Sequence, residues 1–139
     1  GYERAVKSIR LPHPIYRLLG SLLGSADIIA QMSDRCYLEK CHDRLYPEFV
    51  EGGIAQRVTG TKVETVFASA DDLLRKTPGF FVSASKRLDQ DVGGAYQYER
   101  GHFGGSNLYM DAVKRNILFA EQMQSKQLTL RRIPPDTLT

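Results

Sequence analysis

Residues 14–34, PIYRLLGSLLGSADIIAQMSD, decide the fold because they hold a helical periodicity for about five turns. Apolar residues recur there at steps of three and four, which places them on one side of a helix. This set is Ile15, Leu18, Leu19, Leu22, Leu23, Ala26, Ile29 and Met32. Pro14 suits the first turn, where its missing N–H group would be unpaired in any case. We therefore expect one long helix against which the rest of the chain packs.

One acidic residue interrupts this helix. Asp27 projects on the same side as Gly20, Leu23 and Gly24, so its carboxylate lies over a strip with little side-chain bulk. A glycine inside a helix costs about 1 kcal/mol relative to alanine, which calls for a packing or functional reason. We interpret the two glycines as room for something to approach the Asp27 carboxylate, either a neighbouring helix or a bound metal ion.

Composition sets broad limits on the protein. A chain of 139 residues with 42% hydrophobic residues predicts one globular domain, here residues 1–127, followed by a loose tail at 128–139. The net charge is +3 and no run of five like charges occurs, so no dedicated nucleic-acid surface is expected. No apolar run reaches the ~20 residues that span a bilayer, which predicts a cytoplasmic protein without membrane contact. Cys36 and Cys41 are expected to be reduced packing residues.

The remaining sequence predicts an all-α fold of five or six helices. Further helices are expected at residues 36–51, 69–77, 80–91 and 107–126. Pro47 should kink or restart the first of these near Tyr46, Pro78 and Gly79 should separate the next two, and Ser69 and Asn107 are suited to N-caps. Residues 53–68 are interpreted mostly as a connection, with a short hairpin around Thr59 and Gly60 as the alternative.

Two further places offer candidate ligand contacts. His13 lies between two prolines and is either a ligand on a rigid turn or an exposed loop histidine. The segment GHFGGSN precedes a helix, so its backbone N–H groups and the helix dipole favour an anion, with contacts from His102, Gly104, Gly105 and Asn107. The alternative is a helix-entry turn in which glycines adopt unusual backbone angles.

Residues 18–49, LLGSLLGSADIIAQMSDRCYLEKCHDRLYPEF, resemble the later part of bacterial HD-domain proteins, members of the metal-dependent phosphohydrolase superfamily. Residues 24–29, GSADII, match the family's Ala-Asp dipeptide in a small-residue setting. The resemblance continues through DLLRKTPGFF, RLDQDVGGAYQY and HFGGSNLYMDAVKRNI, and covers about residues 15–120. It implies an HD-like helical domain from a poorly characterised branch of the family.

The resemblance also implies a metal site. In this family a His, a His-Asp pair and a distant Asp hold one or two divalent cations, such as Mn²⁺, Mg²⁺ or Fe²⁺, that activate water against a phosphoester. Asp27 corresponds to the last ligand. His13 is the only histidine upstream of it, and no Asp follows it. His42 and Asp43 form a literal His-Asp pair, but they come after Asp27 and are interpreted as a solvated surface pair.

Since the upstream ligands are missing and the chain starts with Gly1, we expect either an excised piece of an HD protein or a degenerate relative. The expected function is hydrolysis of a phosphorylated small molecule or nucleotide, with little activity from this chain alone. The alternative is a non-catalytic helical module for regulation, ligand sensing or oligomerisation. A third hypothesis is a site completed by histidines from another chain or from a missing N-terminal half.

Overall fold

The computed structural model describes residues 8–126 and 129–130, with only the backbone of Gln124. Within these residues the fold is all-α, as predicted, and carries one small two-stranded sheet. The helices are α1 Pro14–Ser33, α2 Tyr37–Lys40, α3 Tyr46–Glu51, α4 Ala70–Lys86, α5 Glu99–His102 and α6 Leu108–Lys126. The strands are β1 Gln56–Thr59 and β2 Lys62–Thr65. No helix in this described part of the chain is both long and apolar enough to cross a membrane.

Helix α1 begins and ends within one residue of the prediction. Pro14 occupies its first turn, and His13 is its N-cap: the His13 Nδ1 atom accepts a hydrogen bond from the Ile15 N–H group at 3.2 Å. At the other end, the Asp34 N–H group donates to the Gln31 carbonyl. The His13 cap satisfies one of the N–H groups that the first turn of a helix leaves unpaired. His13 therefore has a structural role that the sequence did not indicate.

The helix expected at 36–51 is continuous but changes its winding. It starts as α2, passes through a π-helical segment at Cys41–Leu45 and continues as α3. Pro47 lies in the first turn of α3, so the predicted restart near Tyr46 is confirmed. The wider π winding comes directly before the proline, at the point where the proline removes a regular helical hydrogen bond.

Residues 53–68 contain the hairpin that was only the alternative interpretation, so the expectation of a plain connection was wrong. Strands β1 and β2 pair antiparallel, with Val58 opposite Val63 and Thr59 opposite Lys62. Gly60 turns the chain with a φ of 62°, a conformation that glycine adopts without strain. All eight strand residues are exposed. A strand exposed on both faces has no reason to alternate apolar and polar residues, which explains the weak signal.

The expected break at residues 78–79 does not occur. Helix α4 runs through Pro78 as one helix of 17 residues and is followed by a second π-helical segment, Arg87–Asp91. A proline removes one helical hydrogen bond but does not forbid the helix when packing holds both sides. Here Leu73, Leu74 and Thr77 are buried just before the proline. Ser69 accepts from the Asp72 N–H group at 3.1 Å, so the predicted cap of this helix is confirmed.

The chain divides into two contact units, with boundaries at 34/35, at 78/79 within α4 and at 114/115 within α6. The described part of the first unit is residues 8–34 and 79–114, and that of the second is 35–78, 115–126 and 129–130. Each has its own apolar cluster. In the first unit it comprises Ile29, Leu88 and Val92, with Ile28, Tyr96 and Met110 packed against them. In the second it comprises Leu38, Cys41, Phe67, Leu73, Leu74 and Ala120, with further partly buried residues around them.

Helix α6 begins where the sequence placed it. The Asn107 Oδ1 atom accepts from the Met110 N–H group at 3.0 Å, so Asn107 is the N-cap. Val113, Ile117 and Ala120, spaced four and three residues apart, are buried. The expectation of a single domain stays a prediction, and of the tail expected at 128–139 only residues 129–130 are described.

Candidate functional site

Asp27 lies on the solvent-exposed side of α1. The Gln31 Nε2 atom, one turn further along the helix, donates a hydrogen bond to Asp27 Oδ1 at 3.1 Å. The second carboxylate oxygen, Oδ2, takes no part in this hydrogen bond and is available to ligands from outside the helix. Both side chains are exposed, so this carboxylate can accept further ligands without leaving its place on the helix.

Contacts within the described part of the chain do not require the two glycines on the Asp27 side of α1. A Cβ atom added at Gly20 would meet no atom within 4 Å. One added at Gly24 would lie 3.5 Å from Val92 Cγ1, an ordinary van der Waals distance. Alanine therefore fits at both positions, although it is the better helix former by about 1 kcal/mol. Packing among the described residues therefore does not explain why these two positions are glycine. It also leaves the strip beside Asp27 free of large side chains.

The predicted apolar face of α1 is only partly used as core. Ser25, Ile29 and Met32 are buried, whereas Leu19 is 53% exposed and Leu23 is 74% exposed. Five exposed residues form a second face of the helix, which we name the exposed seam, while the exposed Ile15 and Leu18 lie outside it. It consists of Tyr16, Leu19, Leu23, Ala26 and Ala30. The expectation that the whole apolar face packs against the chain was wrong for its members Ile15, Leu18, Leu19, Leu23 and Ala26, which are exposed.

His13 and Asp27 do not belong to one metal site. They are 14 residues apart along the same helix, which corresponds to about 21 Å at 1.5 Å per residue, whereas metal–ligand distances are about 2.0–2.2 Å. Across the described residues, no group of three or more His, Cys, Asp or Glu side chains is arranged to hold a metal ion. If Asp27 binds a cation, the remaining ligands come from outside the described residues or from another molecule.

The segment expected to contact an anion is built as a helix-entry turn. Gly104 and Gly105 have φ values of 68° and 117°, and the Gly105 N–H group donates to the Arg100 carbonyl at 2.7 Å. The Asn107 side chain makes two hydrogen bonds. Its Oδ1 atom accepts as the N-cap of α6, and its Nδ2 atom donates to the Tyr96 carbonyl at 3.2 Å. The His102 ring packs edge-on against its neighbour Phe103, with 4.8 Å between ring centroids. These contacts favour the structural alternative, and the anion site stays a prediction.

His42 lies between two carboxylates. Its Nδ1 atom is 2.6 Å from Asp43 Oδ1, and its Nε2 atom is 3.8 Å from Asp71 Oδ1. All three side chains are at least one-third exposed, as the interpretation of a solvated surface pair requires. The approach of Asp71, on α4, to His42 was not predictable, because the two residues are far apart in the chain and follow no shared motif.

Cys41 is held in an unreactive form. Burial raises the pKa of its thiol to about 11, and a hydrogen bond with Tyr37 only partly opposes this. Burial also raises the pKa of the Tyr37 hydroxyl, with a further contribution from the nearby Cys41. Cys36 and Cys41 are both buried free thiols. A nucleophilic cysteine needs a lowered thiol pKa and some access to solvent, so the environment of Cys41 indicates packing.

Asp72 organises the start of α4. Its side chain accepts from Lys76 Nζ at 2.8 Å and from the Ala68 N–H group at 3.0 Å, with Arg75 further away at 3.4 Å. The hydrogen bond from Lys76 is the main reason that the pKa of this carboxyl is lowered to about 2, and the Ala68 N–H group adds to it. This network explains the local structure of α4 and involves no candidate ligand.

Comparison with protein-family models and with curated proteins finds no match for the sequence, and comparison with solved structures finds none for the fold. The resemblance to HD-domain proteins therefore stays a prediction that rests on the residues themselves.

Proposed function

We propose that the chain is an HD-type, metal-dependent phosphohydrolase-like domain in which Asp27 is one ligand of a divalent cation. The observation that carries this proposal is the open strip beside Asp27. The carboxylate is exposed on a long helix, and two glycines that packing among the described residues does not require keep bulk away from it. A cation bound by a carboxylate needs such space for its other ligands, for water and for phosphate oxygens.

The proposed substrates are phosphorylated small molecules or nucleotides, and the proposed location is the cytoplasm. The proposed metal is Mn²⁺, Mg²⁺ or Fe²⁺. The described residues hold no complete ligand set, so this chain alone is expected to hydrolyse phosphoesters little above background. The missing imidazoles would be supplied by other residues of the protein or by a second molecule.

The experiment is thermal unfolding with and without each divalent ion, on the wild-type chain and on Asp27→Asn. Asparagine keeps the size of the side chain and its contact with Gln31 but removes the negative charge. A ligand present at 100 times its Kd stabilises the folded state by about 2.7 kcal/mol. We expect a shift of the melting temperature that Asp27→Asn abolishes.

Two control variants separate Asp27 from other carboxylates and imidazoles. Asp91→Asn removes an exposed acid of the same contact unit, and His42→Ala removes the imidazole between two carboxylates. Both variants should retain the shift. Absence of a shift with every ion, or a shift lost in His42→Ala and kept in Asp27→Asn, contradicts the proposal.

A second candidate function is a non-catalytic helical module that acts by association. The exposed seam of α1 favours it, because large apolar side chains exposed along one helix face are typical of surfaces that bind other helices. The metal proposal uses the Asp27 side of α1, and this one uses the neighbouring exposed seam.

A further inference from the structure

The residues of the exposed seam follow the spacing of a coiled-coil contact. Tyr16, Leu19, Leu23, Ala26 and Ala30 are separated by steps of three, four, three and four, and Ser33 continues the series at the end of α1. This 3-4 alternation is the a/d pattern of a helix that packs along its length against another helix. The buried residues of α1 lie on the adjacent side, so the seam is a second contact face of the same helix.

Side-chain size along the seam is asymmetric. The first half carries the large residues and the second half carries the small ones. A parallel pair of such helices would place large residues opposite large ones and leave the small ones facing each other. In an antiparallel pair with its two-fold axis between Gly24 and Ser25, every layer joins one large side chain to one small one. In that register Leu23 meets the partner's Ala26, Leu19 meets the partner's Ala30, and Tyr16 meets the partner's Ser33.

We propose that the chain self-associates through α1 as an antiparallel two-fold pair in this register. The occupant of the seam is a second copy of the chain because the seam is complementary to itself: each contact between a residue and its partner occurs twice, as a two-fold interface requires. Small residues in every layer let the helix axes approach to about 8 Å, the close end of helix packing distances. This inference specifies the partner for the association function and does not depend on metal binding.

Charges along the edge of the seam agree with the register. Asp27 and Gly20 each follow a seam residue, Ala26 and Leu19, and so lie on the same edge of the seam. In the antiparallel pair this edge lies beside the same edge of the partner helix. Asp27 is therefore next to the partner's Gly20 and meets no like charge. At each end of the helix pair, Asp34 lies beside the partner's His13, which is the N-cap residue of the partner's helix. A negative charge is favourable at a helix N-terminus. The register also gives Gly20 a role, since a side chain there would crowd the partner's Asp27.

The size of the contact predicts a weak dimer. A helix of 20 residues is about 30 Å long and about 10 Å wide, so its footprint is about 300 Å². Stable interfaces bury about 800 Å² per partner. A pair formed by α1 alone should therefore dissociate in the range of about 10 µM to 1 mM.

The experiment is sedimentation equilibrium over that concentration range. We expect a reversible monomer–dimer equilibrium for the wild-type chain and a Kd at least about tenfold weaker for Leu23→Lys, because a charge would be buried next to the two-fold axis. Val82→Lys is the matched control. Val82 is 69% exposed, in the same contact unit and outside the seam, so this variant should dimerise like the wild type. A wild-type chain that stays monomeric at about 1 mM overturns the proposal, as does an equal loss in both variants.

A size exchange tests the register. Leu23→Ala alone leaves gaps in the two central layers, and Ala26→Leu alone overfills them, so each single variant should weaken the dimer. The double variant exchanges the large and small positions and restores one large and one small residue in each layer. Its Kd should return to within about threefold of the wild type. A double variant that is weaker than both single variants overturns the antiparallel register. Circular dichroism of each variant establishes that the helix content is unchanged.

Discussion

Replacing Gly20 by alanine should stabilise the folded chain, which is unusual for a substitution beside a candidate functional residue. Gly20 lies inside α1, and a Cβ atom there would meet nothing within 4 Å. The change therefore adds no clash and removes the conformational entropy that glycine loses in a helix. We expect the free energy of unfolding to rise by about 0.5–1 kcal/mol. In a domain of this size that corresponds to a melting temperature about 2–6 °C higher.

Two further glycines make the prediction specific. Gly24→Ala should also stabilise, since its Cβ atom would lie at an ordinary distance from Val92. Gly94→Ala should destabilise by about 1–2 kcal/mol, because Gly94 has a φ of 68°, in the left-handed region that disfavours a side chain. The same glycine-to-alanine substitution is thus expected to raise the free energy of unfolding at Gly20 and Gly24 and to lower it at Gly94, because the backbone conformation differs.

The assay is urea unfolding followed by circular dichroism at low micromolar protein concentration, where association through the seam contributes little. The reasoning is refuted if Gly20→Ala lowers the free energy of unfolding by more than about 0.5 kcal/mol. That result would mean that an atom of the chain already occupies the space beside Asp27, and the open strip would no longer support a ligand there.

Two predictions concern titratable groups of the second contact unit. Because the pKa of Asp72 is lowered to about 2, its carboxylate stabilises the fold above about pH 4, the usual range of an aspartic acid, and this contribution disappears as the pH falls through about 2. The difference in unfolding free energy between wild type and Asp72→Asn should therefore be larger at pH 6 than at pH 2, and a difference independent of pH would contradict the assignment. Because burial raises the pKa of Cys41 to about 11, its alkylation by iodoacetamide at pH 8 should be much slower in the folded chain than in the urea-unfolded chain, as measured by mass spectrometry. Equal rates would show that this thiol is accessible.

The sequence was sufficient to predict where the helices lie, but it was insufficient to predict which of their faces are buried. The periodicity of α1 and the caps at Ser69 and Asn107 are local features, and the structure contains all of them. Which side of α1 becomes core depends on residues distant in sequence, such as Leu88 and Val92. The apolar pattern covers more than half of the helix circumference, so it does not by itself distinguish a buried face from an exposed one.

The candidate site was predictable to the same extent. Asp27 and its glycines were recognised from their spacing, and in the structure Asp27 and Gly20 are exposed while Gly24 is half-buried beside Val92. The side chains around His42 were not predictable, because Asp71 reaches it from another helix. For Pro78, a rule about local sequence failed: the helix continues through the proline, and the buried residues Leu73, Leu74 and Thr77 hold the turns that precede it.

The β1–β2 hairpin is a site at which residues can be inserted into the chain. Its strands bond only to each other along their length, while its base is fixed by the Ala55 carbonyl, which accepts from the N–H groups of Val66 and Phe67. Ala55 and Phe67 are buried, whereas every strand residue is in solvent. Adding two residues to each strand lengthens the ladder without changing the register at the base or the kind of residue pair that closes the turn. An affinity tag or a fluorescent label inserted at Gly60 and Thr61 would therefore leave both apolar clusters as they are.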